Sequence, residues 1–341
     1  MKLLRRILSP LRWIYATIMN IRNGLFKFGF FAQYKSTIPI ISIGNLSMGG
    51  TGKTPHIIFL INKLKQQKKA VLSRGYGRKR KDLINGDLSK HSIKDIGDEP
   101  FELLEKFQSE NFQVIINANR KQALNFLEKQ QTPPDIVLLD DGFQHRYVQR
   151  DLNILLTDIQ SPFYSDKVFP AGNLRENIEG AKRADLIIVT KCPKKLSSEK
   201  QTIIKNNIKT FSEAPVYFSC IRYQGYKNIE NRDIKLITNG EYLLITSIAF
   251  PKTIEEYLNS HEIYFEHISY RDHHNFSENE IKEIAKKSTK FDGIITTEKD
   301  WMRLRESNLH EQTKTAIYRL QIEIELLHSD EQFMKQLNQI N

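Results

Sequence analysis

The 341-residue chain contains only two cysteines, Cys192 and Cys220. That number supports neither a disulfide framework nor a zinc cluster, and it points to a reducing compartment. Acidic residues are missing from the first 81 positions of the chain, and the earliest is Asp82. The formal net charge is +11, and its uneven placement points to an anionic partner: nucleic acid, an anionic membrane surface or a phosphorylated substrate. Plain solubility is the bland alternative. Long apolar runs are missing too. A membrane-spanning helix needs about 20 mostly apolar residues. In the opening segment Arg12, Asn20, Arg22, Asn23 and Lys27 interrupt any such run. No small-residue cleavage site follows a clean apolar core, which argues against a signal peptide. No internal repeat or low-complexity tract is present.

What the opening segment does contain is a helical pattern. Leu4, Ile7, Leu8, Leu11, Ile14, Tyr15, Ile18 and Ile21 recur at helical spacing, with Arg5, Arg12 and Arg22 between them. Pro10 starts or kinks the helix. Residues 1–35 are read as a basic amphipathic helix lying in a membrane interface. Its cations face headgroups, and Trp13 and the phenylalanines enter the acyl boundary. The alternative is an amphipathic helix packed on its own protein.

Beyond it, 40% hydrophobic and 27% charged residues indicate a globular chain, long enough for two domains. Apolar runs at 38–44, 69–74, 113–118, 135–140, 152–158 and 184–191 read as strands, with helices between several of them, such as Pro55–Gln67 and Arg120–Lys129. Continuous apolar strands separated by helices predict an α/β fold with a mostly parallel sheet covered on both faces. A second set at 241–249, 262–270 and 291–300 predicts a smaller α/β domain. The expected division is a core at 36–223, then a linker and second domain at 224–341. Alternating segments at 216–224 and 316–326 are expected to pair as a two-stranded connection.

The stretch "ISIGNLSMGGTGKTPH" (41–56) combines a strand, a glycine-rich turn and a helix start. A phosphate loop works because successive backbone N–H groups and a helix N-terminus converge on the phosphates. Ser47, Met48, Gly49, Gly50, Thr51, Gly52, Lys53 and Thr54 form the candidate loop. Lys53 is placed to reach the β/γ-phosphates and Thr54 to ligate Mg²⁺. Ser47 stands where the usual pattern has its first glycine, but it removes no backbone donor. A glycine-rich turn with an incidental Gly-Lys-Thr is the bland reading. "DIVLLDDGFQH" offers the carboxylates such a loop needs, because an apolar strand ends in Asp140 and Asp141. No Asn-Lys-x-Asp motif for guanine is evident, which favours ATP over GTP.

Four further segments stand out. "GDEP" (97–100) and "SRGYGR" (73–78) gather charge around glycines, "NLRE" (173–176) pairs Arg175 with Glu176, and "RDHHNF" (271–276) clusters Asp272, His273 and His274. Each also reads as an ordinary loop or cap. The histidines lack a zinc-ligand pattern, and a histidine beside an aspartate is better read as a proton-transfer group.

Taken together, "GNLSMGGTGKTP", "SRGYGR", "GDEP", "DDGFQH", "AGNLRE", "DHH" and "TTEKD" occur in the order found in the tetraacyldisaccharide 4′-kinases, the lipid A 4′-kinases of Gram-negative bacteria, and the chain resembles that family over nearly its whole length. The family also has a hydroxyl residue at the Ser47 position. The resemblance implies a P-loop kinase that uses ATP and Mg²⁺ to phosphorylate the 4′-hydroxyl of a tetraacyldisaccharide 1-phosphate, giving lipid IVA. It implies work at the cytoplasmic face of the inner membrane, as a peripheral or monotopic protein. No nucleic acid and no obligatory protein partner are implied.

By the same resemblance Asp98 is the catalytic base and His273 its partner, drawn from different domains. Lys53, Asp141 and Arg175 complete the catalytic set. Thr54, Glu99, Asp140, Asp141 and Glu176 surround the metal, and Arg74, Tyr76, Gln144 and His145 line the substrate site. Asn173 departs from the family's usual proline, which leaves its role open. Two rival classes are a membrane-associated nucleotide switch and a basic nucleic-acid-binding ATPase. The first has no need of a base, and the second lacks helicase-like motifs and aromatic-interleaved basic loops.

Overall fold

The computed structural model describes residues 11–75, 78, 82–248, 251–271, 274–313, 315–328 and 331–340. Residues 1–10, Tyr76, Asp272 and His273 lie outside the described residues. The strands are β1 (Ile40–Asn45), β2 (Lys69–Ser73), β3 (Ile84–Asn85), β4 (Phe112–Ile116), β5 (Ile136–Asp140), β6 (Leu152–Asp158), β7 (Leu186–Thr190), β8 (Val216–Lys227), β9 (Asp233–Ile234), β10 (Glu241–Thr246), β11 (Tyr264–Ser269), β12 (Gly293–Thr297) and β13 (Ile317–Leu326). The chain groups into two compact units. Unit 1 is Met1–Asp87, Phe107–Ile221 and Ile324–Asn341, and unit 2 is Leu88–Lys106 and Arg222–Glu323.

In unit 1 the strand order is β8-β7-β6-β1-β5-β2-β4-β3. All neighbours are parallel except the short β3, which runs antiparallel to β4. Every residue of β1, β5, β6 and β7 is buried, as a sheet covered on both faces requires. On one side Leu124 and Leu127 of the helix Arg120–Glu128 pack with Ala70, Leu72 and Val137. Asn119 caps that helix by accepting from the Gln122 N–H at 3.1 Å. The helix after β1 spans Lys53–Lys63, ending four residues before the expected Gln67.

In unit 2, β11-β10-β12-β13 form a parallel set, and β9 pairs antiparallel with β8. Tyr242, Leu244, Ile254, Leu258, Ile295, Tyr318 and Leu320 make its core. β8 and β13 are neighbours in the strand order, and each has residues in both units.

Three expectations need correction. The segment 291–300 is not one strand. β12 stops at Thr297, whose hydroxyl accepts from the Asp300 N–H at 3.0 Å and caps a helix, Glu298–Glu306. Glu298 and Asp300 then sit in a first turn, where the helix dipole favours acids. "GDEP", which reads as a loop or a cap, is not a loop. Asp98 opens the helix Asp98–Lys106, with Pro100 in its first turn.

The third correction concerns the boundary at 223/224. Leu88–Lys106 groups with unit 2 because Asp98 pairs with Arg303 at 2.7 Å, Glu105 pairs with Arg305, and Arg305 stacks over Phe101. Ile324–Asn341 groups with unit 1. There Phe333 meets Phe59 and Tyr217, and the Ile340 carbonyl accepts from Gln66 at 3.2 Å. Asp98 therefore belongs with the second unit, not with the phosphate-loop domain.

Candidate active site

The loop between β1 and the helix Lys53–Lys63 is held by its own chain and by one neighbouring segment. Asn45 donates from Nδ2 to Thr51 Oγ1 at 2.8 Å and to the Gly49 carbonyl at 3.3 Å, which closes the loop on itself. Gly52 has φ 85°, in the left-handed region that favours glycine. Ser47 forms a β-bridge with Leu174. Around it the Met48 N–H donates to the Asn173 carbonyl, and the Arg175 N–H to the Leu46 carbonyl, both at 2.7 Å. Bridged backbone is extended and open to any residue, so this arm of the loop needs no glycine. Asn173 also has a task here: its N–H and Nδ2 donate to the Asp166 carboxylate at 3.2–3.3 Å. On the helix side, His56 bonds the Gly52 carbonyl through Nδ1 at 2.7 Å and Ser219 Oγ through Nε2 at 2.9 Å. Burial pushes its pKa down to about 4, so it is neutral at pH 7 and the Nδ1–H is the donor.

Sheet register brings the acids to this loop. β5 lies beside β1 with Ile43 opposite Asp140. Asp141 follows at φ 49°, and Gly142 then passes so close that a Cβ there would lie 2.5 Å from Ser42 Oγ. Asp140 accepts from Ser73 Oγ at 3.0 Å through Oδ2, while its buried Oδ1 has no hydrogen-bond partner among the described residues. Asp141 accepts from Arg175 Nη1 at 2.7 Å through Oδ2. Its Oδ1 has no hydrogen bond among the described residues and faces Lys53 Nζ at 3.6 Å. Burial raises the Asp140 pKa despite the nearby Lys53. At Asp141 burial also pushes upward, but Lys53 and Arg175 outweigh it and the net direction is down. Two buried carboxylate oxygens without hydrogen bonds suit a hard divalent cation, and Thr54, next to Lys53 in the chain, is also buried.

Arg120 was not legible as a site residue. It is buried and donates to the carbonyls of Asn117 at 2.8 Å and Asp140 at 3.0 Å, fixing the end of β5. Its pKa is pushed down to about 10 by burial.

Glu176 is 1% exposed and engaged on both oxygens. Oε1 accepts from Arg183 at 2.7 Å and Gln144 at 3.1 Å, and Oε2 accepts from Asn23 at 2.9 Å. Donors from three separate segments thus hold the Glu176 carboxylate. Gln144 also donates to the Asn45 carbonyl at 2.9 Å. His145 is neutral at pH 7, because burial and the charges of Arg120, Arg74 and Arg22 push it down to about 4.

The helix Leu11–Lys27 docks here through polar groups. Tyr15 donates to the Arg175 carbonyl at 2.8 Å, Arg22 to the Gln144 carbonyl at 3.1 Å, and Arg146 to the Asn23 carbonyl at 2.8 Å. Its apolar face points the other way. Trp13, Ile14, Ile18 and Ile21 are 58–66% exposed, and Phe28 and Phe30 beyond them about 75%. That is the reverse of an ordinary surface helix. No described helix is long and apolar enough to cross a membrane.

In unit 2, Asp98 Oδ1 accepts from the Glu99 N–H at 3.0 Å and Oδ2 from Arg303 Nη2 at 2.7 Å. Glu102, one turn further on, is pushed up to about 8 by burial and then by the charge of Glu298. Arg303 gave no sequence signal beyond its place one turn after Asp300, because its partner lies 205 residues away.

Comparison with known proteins agrees over the whole length. A model of the family described as tetraacyldisaccharide-1-P 4′-kinase (LpxK) matches residues 4–341. A tetraacyldisaccharide 4′-kinase of Bacteroides thetaiotaomicron is 38% identical, over 95% of this chain and 90% of its own. That of Flavobacterium johnsoniae is 39% identical, over 98% and 96%. The crystal structure of LpxK from Aquifex aeolicus, described as a complex with ATP, superposes with a TM-score of 0.76 at 28% identity and covers 99% of both chains. The chain belongs to the tetraacyldisaccharide-1-P 4′-kinase family of phosphotransferases.

Proposed function

We propose that the chain transfers the γ-phosphate of ATP to the 4′-hydroxyl of a tetraacyldisaccharide 1-phosphate, giving lipid IVA, at the cytoplasmic face of the inner membrane. One observation carries the reading. A glycine-rich loop runs into the helix Lys53–Lys63 directly beside the strand that ends in Asp140 and Asp141. Backbone N–H groups of residues 47–54 and the helix N-terminus suit the phosphates of a nucleotide. Lys53 adds a charge for the transferring group, and its 3.6 Å approach to Asp141 holds it in place until phosphate arrives.

Thr54, Asp140 and Asp141 would hold Mg²⁺, which when bound neutralises charge on the phosphate oxygens. Arg175 fixes Asp141 in one orientation through its 2.7 Å bond. Asp98 takes the proton of the acceptor hydroxyl. Phosphoryl transfer is mostly positioning and charge stabilisation, so an oriented carboxylate is sufficient there. The exposed apolar face of the helix Leu11–Lys27 rests in the interface where the lipid substrate resides, and the basic segment favours an anionic surface.

Incubation with γ-labelled ATP, Mg²⁺ and a tetraacyldisaccharide 1-phosphate tests the reading. Label in a doubly phosphorylated lipid is the expected result. Hydrolysis of ATP without a labelled lipid would support a nucleotide switch and overturn it.

A further inference from the structure

We propose that Arg303 is a positioning residue for phosphoryl transfer: it clamps the Asp98 carboxylate, and a buried Ser247–Asp300 pair anchors the clamp. The inference rests on the reading of Asp98 as proton acceptor. It also gives the "TTEKD" segment a task that the function above leaves open.

The clamp is built from the inside outward. Asp300 is fully buried, and its carboxylate accepts from Ser247 Oγ at 2.5 Å and Thr297 Oγ1 at 2.8 Å. A carboxylate so buried is costly unless a cation compensates it. Arg303, one helical turn on, supplies that cation at 4.0 Å. The same guanidinium donates from Nη1 to Ser247 Oγ at 3.4 Å and from Nη2 to Asp98 Oδ2 at 2.7 Å. Its side chain is only 10% exposed, whereas that of Asp98 is 25% exposed.

A planar, rigid fork is therefore fixed at its inner edge and presents its outer edge to Asp98. With the Glu99 N–H on the other oxygen, both carboxylate oxygens are oriented by donors, which leaves further lone pairs for a hydroxyl. A loose transition state asks more for an oriented acceptor than for a strong base.

A double-mutant cycle tests this on the full-length protein, with kcat read at saturating ATP and tetraacyldisaccharide 1-phosphate and ATP affinity measured separately. Arg303→Gln is expected to lower kcat about 30-fold while leaving the ATP Kd within about twofold, and Arg303→Lys to recover part of the loss. Added to Asp98→Asn, Arg303→Gln is expected to cost no more than about twofold further, because both remove one device. Losses that multiply would mean Arg303 acts apart from Asp98 and would overturn the clamp. Wild-type kcat in Arg303→Gln with Asp98→Asn crippled overturns the clamp alone. Wild-type kcat in Asp98→Asn overturns the proton-acceptor reading itself. Should Arg303→Gln not fold, Arg303→Lys carries the same cycle, with a partial loss expected alone and none in the Asp98→Asn background.

Discussion

The loop of unit 1 and the Asp98 cluster of unit 2 are built in opposite ways. The loop is a backbone device. Its donors come from a contiguous stretch, its curvature from glycines such as Gly52, and its neighbouring acids from the register of β5 on β1. The Asp98 cluster is a side-chain device. Its carboxylate is aimed by a guanidinium 205 residues away, which is itself held by Asp300 and Ser247. The two kinds of construction divide the labour. Backbone amides suit a ligand whose charged groups are always the same, such as a polyphosphate. Side chains on packed helices suit a single directional contact to one hydroxyl.

The difference can be broken from either side. Lys53→Ala should have the largest effect. It removes the loop's one side-chain cation and should lower kcat/KM about a thousandfold, with weakened ATP binding measurable by titration. A loss confined to lipid binding would contradict the loop's role.

Acid sensitivity should separate the units next. Folded His56 titrates near 4 and an unfolded histidine near 6.5, so the unfolded chain takes up the proton first as pH falls. Stability linked to His56 is therefore complete above about pH 6.5 and declines toward pH 4, by on the order of 3 kcal/mol. Urea midpoints across that window should fall less steeply in His56→Gln.

The smallest effect should come from the docked helix. Ile18→Ser removes one exposed apolar side chain and should weaken partitioning into anionic vesicles about tenfold. Turnover of detergent-dispersed lipid should stay within about twofold. Unchanged partitioning would mean that the exposed face does not rest in the membrane.

The same contrast explains what could be read in advance. The parallel α/β architecture and the β1–loop–helix unit were legible because both are written locally, as apolar runs and as glycines around Lys53. The adjacency of Asp140 and Asp141 to that loop followed from their place at the end of an apolar strand, whereas Arg175, in the loop between β6 and β7, was named only by the family resemblance. "TTEKD" reads as a strand end and "GDEP" as a loop or a cap, because a helix first turn built of polar residues shows no apolar periodicity; helices start at both. The grouping of Leu88–Lys106 with unit 2 depends on Arg303 and Arg305 meeting Asp98 and Glu105, contacts with no local trace. Glu176 is named near the metal by the family resemblance alone, and no local pattern shows what holds its carboxylate. Its partners Asn23, Gln144 and Arg183 come from three separate segments, and only the fold assembles them.

The most direct test of the account measures ATP affinity and lipid phosphorylation together in Asp98→Asn. The account predicts wild-type ATP affinity with kcat lowered at least a hundredfold, since Asp98 serves the acceptor hydroxyl and the loop serves the nucleotide. Undiminished kcat in a protein that still binds ATP would contradict it.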